Sequence, residues 1–165
     1  MSGFNLVDDP WVPVRTGEGG RAASVREILM GPERFIALDA GEVDEHFALL
    51  RLLTTIVNRA LHGPATADEW ADIAYGGGYD VAAIQAYLDR WRTRFELFDP
   101  ERPFLQYPEL AGRKDAPTLA VLLPSISSGN AVTLFSHACE RDRIALTPAA
   151  AARGLVHVVL NGRGT

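Results

Sequence analysis

The sequence predicts an α+β fold. A small N-terminal edge β-hairpin or sheet packs with several α-helices, and an irregular, Pro-rich segment occupies the second half. Three observations carry this expectation. The stretch FNLVDDPWVPVR (4–15) alternates apolar and polar residues and carries Val and Trp, as strands do. From Ser24 to Phe95, helix-start patterns recur ahead of apolar residues at three- and four-residue spacing. Between 97 and 117, Pro100, Pro103, Pro108 and Pro117 leave no room for long regular elements.

FNLVD and WVPVR flank Asp9-Pro10, a turn initiator, which predicts a hairpin. TGEGG (16–20) makes a second turn, and RAASV returns as a third short strand. Pro10 and Pro13 remove backbone donors, so the hairpin belongs at a sheet edge, with Trp11 folded back onto the core. Ser24 to Glu27 is a capping box opening a short helix that Gly31-Pro32 stops. Asp39 to Glu42 is a second such pattern, opening a long helix to about His62, where Gly63-Pro64 ends it. Along it, Val43, Phe47, Leu50, Thr54, Val57 and Leu61 form one stripe and Leu49, Leu53, Ile56 and Ala60 an adjoining one. Two stripes predict a helix buried on most sides. Thr66 to Glu69 opens a short helix broken by Gly76-Gly77-Gly78. Asp80 caps another through about Phe95, with Val81, Ile84, Leu88 and Trp91 facing inward. Thr147-Pro148 starts a last helix running towards Leu160. No internal repeat or low-complexity segment is visible. The 165 residues suit a single domain or an N-terminal fragment of a larger one.

Composition bounds the function. Apolar residues make up 47% and charged residues 22%, an ordinary globular balance. With 16 basic and 21 acidic residues the net charge is −5, which argues against gripping nucleic acid by bulk electrostatics but not against a local contact. Cys139 stands alone, so no internal disulfide is possible and a reduced, cytoplasmic setting is the default. There is neither a secretory pattern nor an apolar run of membrane-spanning length, so a soluble protein with no membrane partner is expected.

No constellation demands catalysis, a metal or a cofactor. Gly76-Gly77-Gly78 lacks the Lys-Ser/Thr ending of a phosphate loop and reads as a connector. His137 and Cys139 make one ligand pair without a second, and nothing marks Cys139 as an activated thiol. The carboxylates cluster at helix starts, where capping and the helix dipole account for them. SSGNAVTLFSH (127–137) stands out. Its small polar residues, Gly129 and Asn130, permit unusual backbone angles, and Phe135 and His137 supply flat rings able to stack on a base. The plainer reading is a surface loop anchored by Leu134 and Phe135.

The residues also carry a resemblance. FNLVDDPWVPVR, SVREIL, FELFDPERPFLQ and LLPSISSGNAVTLFSH resemble, in order and approximate spacing, the CasA family, the large subunit of the type I-E CRISPR surveillance complex Cascade. The resemblance implies a non-catalytic subunit, or a fragment of one, with CRISPR RNA and the other Cascade subunits as partners. It implies docking at the RNA 5′ handle, recognition of the protospacer-adjacent motif on target double-stranded DNA, and a platform for a recruited helicase-nuclease in antiviral defence. Only the family's N-terminal third has a counterpart here, and its C-terminal helical bundle is absent. By position, the family's contact to the RNA handle falls on Ser128, Gly129, Asn130, Phe135 and His137. Phe135 either stacks on a base or sits in the core, and Leu134 can exchange roles with it. A loop touching the DNA minor groove falls on Asn161, Gly162, Arg163 and Gly164. The alternative is a protein–protein interaction module without nucleic-acid contact.

Overall fold

The computed structural model describes residues 3–76, 78–110, 122 and 145–161. Three strands, β1 (Val12–Thr16), β2 (Gly19–Ala23) and β3 (Ala37–Leu38), form an antiparallel sheet in the order β2-β1-β3. Among the described residues, five helices accompany it: α1 (Val25–Met30), α2 (Val43–Leu61), α3 (Ala67–Tyr75), α4 (Val81–Trp91) and α5 (Pro148–Asn161). The α+β class is therefore the one expected, but the N-terminus is wired differently.

The hairpin turns at Gly17-Glu18, pairing Val12 with Ala23 and Thr16 with Gly19. Asp9-Pro10 is not a hairpin turn. Asn5 forms a β-bridge, yet its partner lies far along the chain at Glu96, with Leu6 N donating to Phe95 O (2.9 Å) and Leu97 N to Phe4 O (2.9 Å). Nor is β1 at the edge, since it is the middle strand. Pro13 is tolerated there because β3 is so short. It accepts from Asp39 N (2.9 Å) and, lacking an N–H, returns nothing, so the pairing ends.

The core gathers Leu6, Val7, Trp11, Val12 and Val14 from the N-terminus with Ile28, Leu49, Ile56, Ile84, Leu88 and Val156 from the helices. Trp11 is fully buried, and its indole N–H donates to Leu6 O (2.8 Å), which removes the cost of burying that donor. Caps fall where the sequence places them for four helices, α5 among them. Ser24, Thr66 and Asp80 accept from Glu27, Glu69 and Ala83 backbone N–H groups. The α2 start differs. Its N-cap is Glu42 with no side-chain bond, and Asp39 instead pairs with Arg15 (2.8 Å). At its other end His62 adopts the left-handed conformation, φ 56°, and Gly63 follows.

Burial of α2 is one-sided. Leu49, Leu53, Ile56 and Ala60 are buried, whereas Val43, Phe47 and Leu50 are exposed by about half or more. In α4, likewise, Ile84 and Leu88 are buried while Val81 and Trp91 are not. A one-turn 3₁₀ segment, Arg92–Phe95, follows α4, and Pro108–Leu110 forms another in the Pro-rich stretch. Among the described residues, no helix is long and apolar enough to cross a membrane.

Candidate nucleic-acid interface

The two segments singled out by the sequence flank one element, α5. Residues 127–137 precede its N-terminus and residues 162–164 follow its C-terminus. A helix of its 14 residues is about 21 Å long, so α5 sets the separation of its own two ends. Thr147 caps it, accepting from Ala150 N (3.2 Å), with Pro148 at the first helical position.

The rest of the molecule grips α5 along its length. Ala152 and Val156 are fully buried against the core. The Arg153 guanidinium lies 2.6 Å from Glu45 Oε1 and also donates to Trp11 O (3.3 Å), tying α5 to α2 and to the start of β1. Its approach to Glu45 is close but not aligned as a hydrogen bond, so the attraction is chiefly coulombic. Gly154 faces Leu122, and any Cβ at position 154 would overlap the Leu122 carbonyl oxygen. At the C-terminal end Arg51 donates to Leu160 O (2.6 Å), placing a cation where the helix dipole is negative.

Asn161 is the one proposed contact residue among the described residues. Its carboxamide N–H donates to Asp44 O (2.8 Å) and lies 3.2 Å from His157 Nδ1, which accepts when the ring proton sits on Nε2. These donors fasten the end of α5 to the first turn of α2. Ser128, Gly129, Asn130, Phe135, His137, Gly162, Arg163 and Gly164 lie outside the described residues, as do Leu134 and Cys139. The described residues contain no group of three or more His, Cys, Asp or Glu placed to hold a metal.

The opposite side of the core is braced by charge. Burial pushes the Asp8 carboxyl up, but hydrogen bonds and attraction from Arg26 (2.8 Å) and Arg92 (2.6 Å) outweigh it and hold its pKa below the ordinary aspartate value. Arg26 also reaches Asp89 (2.9 Å), so one cluster joins the N-terminal turn, α1 and α4.

Sequence reasoning missed a concave surface. Arg59, His62, Tyr87, Arg90 and Trp91 line a groove of about 680 Å³ beside the C-terminal end of α2. No motif joins them. The only linear signal is a basic residue in the last turn of each helix.

The fold belongs to a recognisable class, that of CRISPR-associated proteins. The chain superimposes on Thermobifida fusca Cse1 with a TM-score of 0.79 at 30% identity, covering 94% of this chain and 29% of that one. A chain of a CRISPR RNA-guided surveillance complex, pre-nicking, matches with a TM-score of 0.80 at 25% identity, over 96% of this chain and 34% of that one. The curated CasA/Cse1 protein of Thermus thermophilus is 39% identical over 153 residues, or 93% of this chain. The family model described as CRISPR-associated protein Cse1 matches residues 5–164, and the chain belongs to that family. It spans about 30% of the length of the curated relative.

Proposed function

We propose that the chain is a non-catalytic part of the large subunit of a type I-E CRISPR RNA-guided surveillance complex, working in the cytoplasm in antiviral defence. In this reading residues 127–137 dock the CRISPR RNA 5′ handle. The segment 161–164 approaches target double-stranded DNA near the protospacer-adjacent motif. The other Cascade subunits and a recruited helicase-nuclease complete the set of partners. The observation that carries the reading is the family match, whose span, residues 5–164, includes both segments. The hold on α5 supports it physically, because Asn161 at its C-terminal end is already fastened to α2 and loses little conformational freedom on docking. A net charge of −5 fits a part that docks onto an RNA–protein assembly and does not hold DNA alone.

Loss of a stacked base costs roughly 1–3 kcal/mol. Phe135→Ala in the full-length protein should therefore weaken incorporation into the RNA-loaded complex by at least about fivefold while leaving the melting temperature unchanged. A variant that assembles normally and binds target DNA like the wild type would show that residues 127–137 do not read RNA. The second reading, a protein–protein module without nucleic-acid contact, is favoured by the exposed stripe Val43, Phe47 and Leu50. It predicts assembly that is indifferent to salt and to ribonuclease.

A further inference from the structure

We infer that the concave surface around the α2–α3 turn docks an acidic peptide segment of a partner protein that carries an apolar anchor. The groove beside α4 and a second pocket, of about 250 Å³, share Asn58, Gly63 and Pro64 as their common rim. One extended segment crossing that rim therefore reaches both. The two differ sharply in chemistry.

Arg59 and Arg90 line the groove, and no carboxylate is among the described residues that line it. Neither arginine is in an ion pair among the described residues. In a chain of net charge −5, two arginines lining one groove that no described carboxylate lines form a local anion-attracting surface, bordered on the α3 side by Glu69. Each arginine sits in the last turn of its helix, where the dipole favours a cation. That accounts for one charge per helix, but not for their convergence on a single groove.

The second pocket is apolar, walled by Leu53, Val57, Leu61, Trp70, Ile73 and Tyr79. It is smaller than the roughly 300–1,000 Å³ of small-molecule sites and suits a large aliphatic or aromatic side chain. Trp70 is 60% exposed at its mouth. Glu69 and Asp72 line a neighbouring hollow that shares the Gly63-Pro64 rim, so carboxylates of the ligand are directed away from α3 and towards Arg59 and Arg90. Glu69 is engaged by Ala65 N (2.7 Å).

A peptide fits better than a nucleic acid. The Arg90 guanidinium already lies over the Trp91 ring, 5.4 Å from its centroid, and occupies one face a base would use. Two guanidinium groups also neutralise only about two phosphates, a small share of what nucleic-acid binding relies on.

The test is selection of phage-displayed random peptides on the full-length protein, with a fluorescent oligo-dT as the competing probe. The expected consensus places an apolar residue within a few positions of two or more Asp or Glu. A synthetic peptide of that consensus should bind at least fivefold more weakly to Arg59→Glu/Arg90→Glu. Trp70→Ala should weaken it separately, with unchanged far-UV spectra in both cases. Phe135→Ala must leave peptide binding intact, which separates this site from the RNA-docking segment. No enrichment, a basic consensus, or binding unaffected by the charge reversal would overturn the inference. So would oligo-dT binding that the same reversal abolishes, because the occupant would then be a nucleic acid.

Discussion

Asn5 shows how much one short side chain can hold. It is 3% exposed, and its carboxamide donates to Arg92 O (3.0 Å) and Glu96 Oε1 (2.8 Å) while its oxygen accepts from Val7 N (3.0 Å). Asn5→Ala leaves the buried Val7 N–H and two part-buried acceptors without their partner, so it should lower stability by about 2–3 kcal/mol in a denaturant titration. Asp8, three residues on, makes stability depend on acid. Its folded pKa lies below the unfolded value, so its contribution is complete above about pH 4 and fades as pH falls through the lower folded value. Asp8→Asn should lower the melting temperature at neutral pH and flatten its decline in acid; an unchanged acid limb would remove Asp8 from the account. Gly154 is a third case. Ala normally favours a helix over Gly by about 1 kcal/mol, yet here a Cβ meets the Leu122 carbonyl, so Gly154→Ala should destabilise. None of these roles was legible beforehand. Asp9-Pro10 is a good local turn signal, but residues 4–6 bond to 95–97, and no local rule reports a partner so distant.

Most helix starts and stops were legible, because capping is local chemistry; the exceptions are the start of α2, where Asp39 pairs with Arg15 and does not cap, and the end of α4, which stops at Trp91. Ser24, Thr66, Asp80 and Thr147 all serve as read, and the stops at Gly31, His62-Gly63 and Gly76 follow backbone preferences that the sequence displays. Burial was only half legible. Periodicity marks which residues of α2 are apolar, but not whether a covering element stands opposite each stripe. Leu49 is buried in the core, while Leu50, its neighbour in sequence, is 45% exposed. Leu49→Ala should therefore cost about 2–5 kcal/mol and Leu50→Ala less than about 1, a contrast that paired thermal melts resolve directly.

At the scale of the whole molecule, the strut α5 joins what the sequence and the family each contribute. The residues at its two ends were read from composition and resemblance, and the side chains that hold it were not. Arg51, Arg153 and Asn161 look like ordinary surface polar residues in the sequence, yet all three fasten α5 to α2. Arg153→Ala should loosen that joint, seen as faster amide exchange in α5 with little change in α4. In the proposed function, residues 127–137 contact the RNA handle. Photo-cross-linking of the full-length protein in the RNA-loaded complex, with peptides mapped by mass spectrometry, tests it most directly. Handle cross-links should concentrate in 127–137, with Phe135 and His137 foremost. Handle cross-links confined to other segments of the protein would contradict it.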